Sequence, residues 1–208
     1  MDDPRDMYRR AGTLAGQIIG KITPAQRILP TPCTEWDVRA VIDHVVNAQL
    51  RVTAMLKDRP GPERGDAIVG PDPVADFRSS FAQLSAVFDE PGFLERTVPT
   101  PFGDAPGAQL VALRTAELTL HAWDLAAATG QSRVFDSGLV AFASAVMHAQ
   151  PIPRKTGAPF GPEQTVPAIA TNADLLAAFT GRTVPEPDRA WQLPEVTKAT
   201  PQTGVQEQ

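Results

Sequence analysis

The chain has 208 residues, of which 42% are hydrophobic and 21% are charged, the balance of one soluble globular domain with room for a tail. A formal net charge of −5, without any Lys/Arg run interleaved with aromatic residues, gives no support to a nucleic-acid-binding protein. The single cysteine, Cys33, excludes an intrachain disulfide and a cysteine-based zinc finger, and it suits a reducing cytoplasm.

Two segments that could mark export or membrane insertion lack the required features. The start, MDDPRDMYRR, is polar, so we expect no secretory signal. The longest apolar stretch, LVAFASAVMHA, is too short to cross a bilayer. We therefore expect a soluble, cytoplasmic protein without a membrane partner.

The first half of the chain predicts two long helices. The first runs from about Asp3 to Lys21, with an apolar stripe at Met7, Leu14, Ile18 and Ile22. The Pro-broken segment LPTPCTEW follows, and Thr34 is the expected N-cap, with Asp37 in the capping-box position. The second helix then spans Glu35 to about Lys57, with apolar residues recurring every three or four positions.

An irregular linker over 57–73 leads to a third amphipathic helix, Val74 to Asp89. The segment RTVPTPFGDAPG has too many prolines for a helix and predicts a short extended hairpin or a loop. The fourth helix spans Gly107 to Thr129, and Gly130 lies where a left-handed C-terminal residue is expected.

Beyond these elements we expect a fifth helix over Phe135 to His148 and a short helix in NADLLAAFTG. The residues from 183 onward are polar and Pro-rich, with Trp191 as a single large anchor, and they predict a tail. Long helices joined by loops favour an all-α fold, a four-helix bundle with a short extra C-terminal segment.

One face of the fourth helix mixes polar with apolar residues. Steps of three and four residues along this face give Leu110, Leu113, Glu117, His121, Asp124 and Ala128. Because burying a lone carboxylate is expensive, Glu117 on this inward face needs a partner charge or a metal ion. On the second helix His44 lies between Val41 and Val45, so it also points toward the core.

If the two helices are neighbours, His44, Glu117 and His121 converge on one point. Two imidazoles and a carboxylate form a recognised ligand set for a divalent metal, with positions left open for water or substrate. The alternative is structural: Glu117 and His121 form a salt-bridged pair, and His44 is a separate core histidine. The Glu-x-x-x-His spacing alone does not decide between the two.

Two nearby polar residues have two interpretations each. Asp124 either orients a ligand imidazole from behind or is a charge near the exposed end of the helix. Asn47 either faces the same site or occupies an exposed polar position, and we favour the exposed position.

Other conspicuous residues receive structural interpretations. Trp36 and Trp123 are expected to be packing anchors, and Cys33 a small buried residue rather than a nucleophile. His148 suits the C-terminal end of a helix, where a cation interacts favourably with the dipole, so we leave it out of the metal set.

Arg51 and Arg114 are the two arginines that we considered as contacts for an anionic substrate. Most arginines in such positions are solvated surface charges, and we assign neither to the site.

Four motifs occur in an order that resembles a known family. They are TPC-x-x-WDVR with the following His44, then RTV…PFG…PG, then E-x-x-x-H-x-WDLA-x-ATG, and finally FGPE…VP…LLAAFTGR. The two helical signatures resemble the metal-binding domain of the mycothiol-dependent maleylpyruvate isomerases, a branch of the DinB-like bundles. The whole pattern is similar to an actinobacterial subfamily of uncharacterised metal-binding proteins.

The resemblance implies that His44, Glu117 and His121 hold a divalent metal, with Asp124 and Asn47 as candidates for the layer around it. The expected ion is Zn²⁺, with Ni²⁺ and Fe²⁺ as alternatives. The family's isomerases carry a further C-terminal domain linked to substrate binding, and we do not expect that domain here. Metal binding therefore transfers to this chain better than isomerase activity does.

The resulting hypothesis is a divalent-metal protein that activates a low-molecular-weight thiol such as mycothiol, for S-transfer or isomerisation of an electrophilic substrate. A non-catalytic metal- or ligand-binding bundle is the alternative, and metal-assisted hydrolysis is a third option. Residues 1–150 would be the metal-binding bundle, 151–182 an extension packed on it, and 183–208 the tail. A homodimer is left open, since nothing in the sequence fixes an interface.

Overall fold

A computed structural model describes residues 3–100, 102–150 and 160–186, and the regular secondary structure in this part of the chain is almost entirely helical. The helices are α1 (Pro4–Ile19), α2 (Val38–Leu56), α3 (Pro73–Phe88), α4 (Gly107–Thr129), α5 (Ser137–Ala149) and α6 (Asn172–Phe179), and a 3₁₀ helix over Pro24–Ile28 precedes α2. The strands β1 (Thr97–Thr100) and β2 (Gly103–Pro106) pair antiparallel, so the Pro-rich segment before α4 is a hairpin. The predicted all-α fold is confirmed.

Helix α4 is the centre of the molecule. Every residue from Arg114 to Ala128 is buried except Glu117. One side of α4 joins α1, α2 and α3 in the main apolar core. The opposite side, through Leu120 and Trp123, packs against α5 and α6 in a second core. Side chains on α4 are therefore held from both sides, as a precise site requires.

The beginning of α2 differs from the sequence prediction. The helix begins at Val38 rather than Glu35, and its N-cap is Asp37 rather than Thr34, because the Asp37 carboxylate accepts from the Ala40 amide at 2.8 Å. Glu35 has a φ of 77°, in the left-handed region, which prevents a helix from starting there. The chain instead doubles back so that Pro30 pairs with Asp37.

The linker between α2 and α3 is fixed to α2 by two buried polar side chains. One oxygen of Asp43 accepts from the amides of Ile68 and Val69, at 2.9 and 2.7 Å. Asn47 donates from Nδ2 to the carbonyl of Glu63 at 2.8 Å. Asn47 is thus buried rather than exposed, and its amide holds the linker.

The ends of the elements confirm most of the remaining predictions. Helix α4 ends at Thr129, and Gly130 has the expected left-handed backbone with a φ of 69°. Thr171 and Asp174 form a capping box at the start of α6. Of the expected tail, residues 187–208, including Trp191, lie outside the described residues. Among the helices that are described, none combines the length and apolarity needed to cross a membrane.

Candidate metal centre

The three side chains expected to bind a metal meet between α2 and α4. His44 Nε2 lies 3.0 Å from Glu117 Oε1, and the rings of His44 and His121 have centroids 4.8 Å apart. One donor atom from each of His44, Glu117 and His121 lies within 4.8 Å of the other two. Helical spacing explains half of this arrangement, because residues four apart on α4 share one face. The packing of α2 against α4 brings the third side chain.

His121 is held from behind by a buried carboxylate. Its Nδ1–H donates to Asp124 Oδ2 at 3.1 Å, and the two side chains are only 8% and 0% exposed. Asp124 in turn accepts two hydrogen bonds from the Arg182 guanidinium, each at 3.0 Å. Burial opposes ionisation, but Arg182 and the bond from His121 hold the pKa of the Asp124 carboxyl below its usual value. With Nδ1 engaged, the His121 Nε2 lone pair is left for a metal.

Glu117 and His44 form the more open side of the cluster, with side chains 31% and 26% exposed. Arg114, three residues before Glu117, makes an ion pair with its second oxygen. Burial would raise the pKa of Glu117, yet Arg114 and the His44 hydrogen bond hold it below the normal value. Burial lowers the pKa of His44, an effect that Glu117 partly offsets. At neutral pH the carboxylate is therefore ionised and the imidazole neutral, the forms that bind metals.

The segment before α2 supplies the rim of the site. The Thr31 hydroxyl hydrogen-bonds with the Trp36 carbonyl at 2.8 Å, which fixes the reversed loop. The Trp36 ring then lies against both imidazoles, with centroid distances of 4.5 Å to His44 and 5.9 Å to His121. Cys33 Sγ lies within 4.8 Å of a His121 nitrogen and an Asp124 oxygen. Burial raises the pKa of the Cys33 thiol to about 12, so it stays protonated.

Two other residues that the sequence singled out lie away from the cluster. His148 stacks on Phe179 with a centroid distance of 3.7 Å, and its Nδ1 bonds with the Ser144 carbonyl. Trp123 is a packing residue, as expected, and its Nε1–H donates to Asp174 at 2.8 Å.

The sequence interpretation missed both arginines of the site. Arg114 is buried against Glu117 rather than solvated, and its i,i+3 spacing from Glu117 was the available signal. Arg182 is the last residue of the motif FTGR, but no local sequence pattern predicts its contact with Asp124, 58 residues earlier.

The chemistry of the donor set fits a divalent transition metal. Zinc binds imidazole nitrogen and carboxylate oxygen at about 2.0–2.2 Å, so neighbouring ligand atoms of a tetrahedral site lie roughly 3.4 Å apart. The 3.0 Å separation of His44 Nε2 and Glu117 Oε1 is close to that spacing. A bound divalent ion would replace the hydrogen bond between these two atoms, with loss of its proton. With three protein ligands, such an ion would keep an open coordination position.

Comparison with known proteins agrees with the helical fold. Residues 8–126 match the sequence model of the mycothiol maleylpyruvate isomerase N-terminal domain, a region that includes His44, Glu117, His121 and Asp124 but not Arg182. Two uncharacterised proteins of Mycobacterium tuberculosis, from strains CDC 1551 / Oshkosh and ATCC 25618 / H37Rv, are each 37% identical over 186 residues. The alignment covers 88% of this chain and 99% of theirs.

Two solved structures are similar to the chain. A mutant of the mycothiol-dependent maleylpyruvate isomerase aligns with a TM-score of 0.53 and 15% identity, over 67% of this chain and 65% of the isomerase. The isomerase itself aligns with a TM-score of 0.47 and 16% identity, over 59% of each chain. At 15% identity, the similarity to the mutant isomerase concerns the fold alone, and the aligned part is less than two thirds of the isomerase. On the sequence match and the close relatives, the chain belongs to the mycothiol maleylpyruvate isomerase N-terminal domain family.

Proposed function

We propose that this protein binds one divalent metal ion through His44, Glu117 and His121, and uses it to activate the sulfur of a low-molecular-weight thiol. The observation that carries the proposal is the convergence of these three donors, from two helices, at a place where two of them are partly exposed. Zn²⁺ suits the donors best, and Ni²⁺ or Fe²⁺ are alternatives.

The residues around the cluster would have separate roles in such a site. Asp124 fixes the His121 ring and its tautomer, because it accepts the Nδ1–H proton. Arg114 keeps Glu117 ionised and leaves its Oε1 facing His44. A bound divalent ion supplies Lewis acidity, which lowers the pKa of a thiol at its open position.

Mycothiol is the proposed thiol because the family is named for it, and the isomerase structures that resemble this fold belong to a mycothiol-dependent enzyme. The exposed edges of His44 and Glu117, with Trp36 beside His44, offer the side from which such a thiol would approach. The second substrate would be a small electrophile, either isomerised through a reversible thiol adduct or conjugated to the thiol.

A turnover assay tests this function directly. Zn²⁺-loaded protein is mixed with mycothiol and either maleylpyruvate or a general electrophile such as monochlorobimane, and isomerisation or conjugate formation is followed. Turnover above the rate without protein is expected, and Glu117→Gln should abolish it, since the amide does not supply the anionic ligand. Absence of turnover with every electrophile, by a protein that holds its metal, would contradict the enzymatic proposal.

A second candidate function is a metal-dependent binding module without catalysis. It is favoured by the pairing of both nearby carboxylates with arginines, Glu117 with Arg114 and Asp124 with Arg182, which leaves neither as a general base. Isothermal titration calorimetry separates the candidates. A module would bind mycothiol in a metal-dependent way and show no turnover, whereas an enzyme shows both.

A further inference from the structure

The segment that follows α6 reaches back into the candidate metal centre. Arg182 is buried, and its guanidinium spans both oxygens of Asp124, with Nε donating to Oδ1 and Nη2 to Oδ2, each at 3.0 Å. Such a two-point contact fixes the plane of the carboxylate as well as its position. Asp124 Oδ2 is the oxygen that accepts from His121. A continuous chain of buried hydrogen bonds thus joins the C-terminal segment to the His121 imidazole.

The backbone around Arg182 is shaped for this contact. Gly181 has a φ of 93°, a conformation that residues other than glycine rarely adopt. A Cβ at Gly181 would lie 2.5 Å from the Cα of Gly161. A side chain at Gly181 would therefore also push apart the two loop segments that contain these glycines. The Arg182 amide donates to the Ala177 carbonyl at 3.1 Å, and Nη1 donates to the Thr180 hydroxyl. The turn therefore points the guanidinium inward and holds it there.

The segment is anchored at other points that do not involve Asp124. Trp123 donates to Asp174 in α6, and Arg133 donates from both terminal nitrogens to the Pro185 carbonyl, at 3.1 Å. Apolar side chains of α6 pack on α4 and α5 in the second core. These contacts keep the segment docked when the Arg182 side chain is changed, and they supply a matched control.

We propose that Arg182 is a positioning residue for the metal centre: through Asp124 it sets the orientation of His121, and so couples docking of the C-terminal segment to metal affinity. The proposal rests on the proposed metal site. Arg182 lies outside residues 8–126, the region that defines the family, so this chain completes its site with a residue from its own C-terminal part. Because binding free energies are linked, metal binding must stabilise the docked segment to the same extent that the segment strengthens metal binding.

The test compares Arg182→Met with Arg133→Met, which remove a buried and a partly buried arginine from the same segment interface. Zn²⁺ affinity is measured by competition with a chelating dye, and the ligand field is read from the visible spectrum of Co²⁺-loaded protein. Arg182→Met should bind Zn²⁺ about 10–100-fold more weakly, the usual effect of removing an outer-layer partner. Its Co²⁺ spectrum should shift. Arg182→Lys keeps the charge without the fork and should recover part of the affinity, whereas Arg133→Met should remain near wild type.

Three outcomes would overturn this inference: a folded Arg182→Met protein with wild-type affinity and spectrum, an equal loss of affinity in Arg133→Met, or no linkage in the wild type. The last is measured by hydrogen exchange, where Zn²⁺ should slow exchange of the Arg182 amide even if every variant fails to fold. A wild-type protein that binds no Zn²⁺ would instead contradict the proposed function. The two failures are thus distinguishable.

Discussion

His44 and His121 belong to one cluster but are held in opposite ways. His121 lies in the interior, and a fully buried carboxylate and guanidinium fix its ring from behind. His44 is three to four times more exposed, and its only side-chain hydrogen bond recorded among the described residues is to Glu117. The two halves of the site therefore differ in rigidity before any metal binds.

This difference indicates two roles. We call His121, with Asp124 and Arg182 behind it, the anchor of the site, and we call the pair of His44 and Glu117 its entrance. A ligand atom whose position is set by packing on both sides of α4 pre-organises the site, because little order has to be gained on binding. The partly exposed pair of His44 and Glu117 is the side through which a metal, and then a substrate, can enter. Variants that change only one of the two halves test this distinction.

The largest effect is expected at the anchor, from Asp124→Ala. This change leaves the buried Arg182 guanidinium without its counter-charge, and breaking a buried pair in this way costs about 3–5 kcal/mol of unfolding free energy. Arg9→Ala is the control, because the pairs of Arg9 with Asp89 and Asp6 are about half exposed and should each contribute about 0–1 kcal/mol. Urea denaturation of metal-free protein measures both. Equal losses of unfolding free energy in the two variants would contradict the assignment of Asp124 and Arg182 to the anchor.

An intermediate effect is expected when the two histidines are compared without metal. His121→Ala removes a buried partner of Asp124 and should lower the unfolding free energy by about 1–3 kcal/mol. His44→Ala removes a partly exposed contact and should cost about 1 kcal/mol or less. Thermal unfolding of the two variants, each treated with a chelator, gives the comparison. A larger cost for His44→Ala would reverse the assignment of anchor and entrance.

The smallest effect on stability is expected at Cys33, on the rim of the site beside His121 and Asp124. Its folded pKa of about 12 lies above the value of about 8.5 for a free thiol, so its contribution to stability is complete below pH 8.5 and is lost as the pH rises toward 12. At pH 8.5 the native thiol should react with iodoacetamide more slowly than the urea-unfolded thiol by on the order of a hundredfold or more. Mass spectrometry follows the modification, and equal rates would contradict the raised pKa of the Cys33 thiol.

The sequence predicted the helices well because their apolar periodicity is local information. The same periodicity placed Glu117 and His121 on one face of α4 and His44 on the inner face of α2. It misplaced the start of α2, since the hydrogen bonds of Thr31 and the left-handed Glu35 that define the loop involve contacts a pattern of hydrophobicity does not contain.

The contacts of the polar residues around the ligands could not be predicted from the sequence, for a different reason. The role of Asp124 could not be decided because its burial depends on α6. That helix covers α4, which is buried on nearly all sides. Arg182 finds its partner 58 residues away, after a short helix has docked. Asn47 was assigned to an exposed position because its actual partner is the linker backbone, whose path no local pattern encodes.

Metal content shows whether His44, Glu117 and His121 form a metal site. Wild-type protein and His121→Ala, both purified without a nickel column and dialysed against the same buffer, are measured by inductively coupled plasma mass spectrometry. We expect one divalent ion per wild-type chain and none in the variant, because the anchored imidazole supplies the best-ordered ligand. A folded His121→Ala protein that keeps a full complement of metal would contradict the assignment of the site, as would a wild-type protein that neither contains nor takes up a divalent ion.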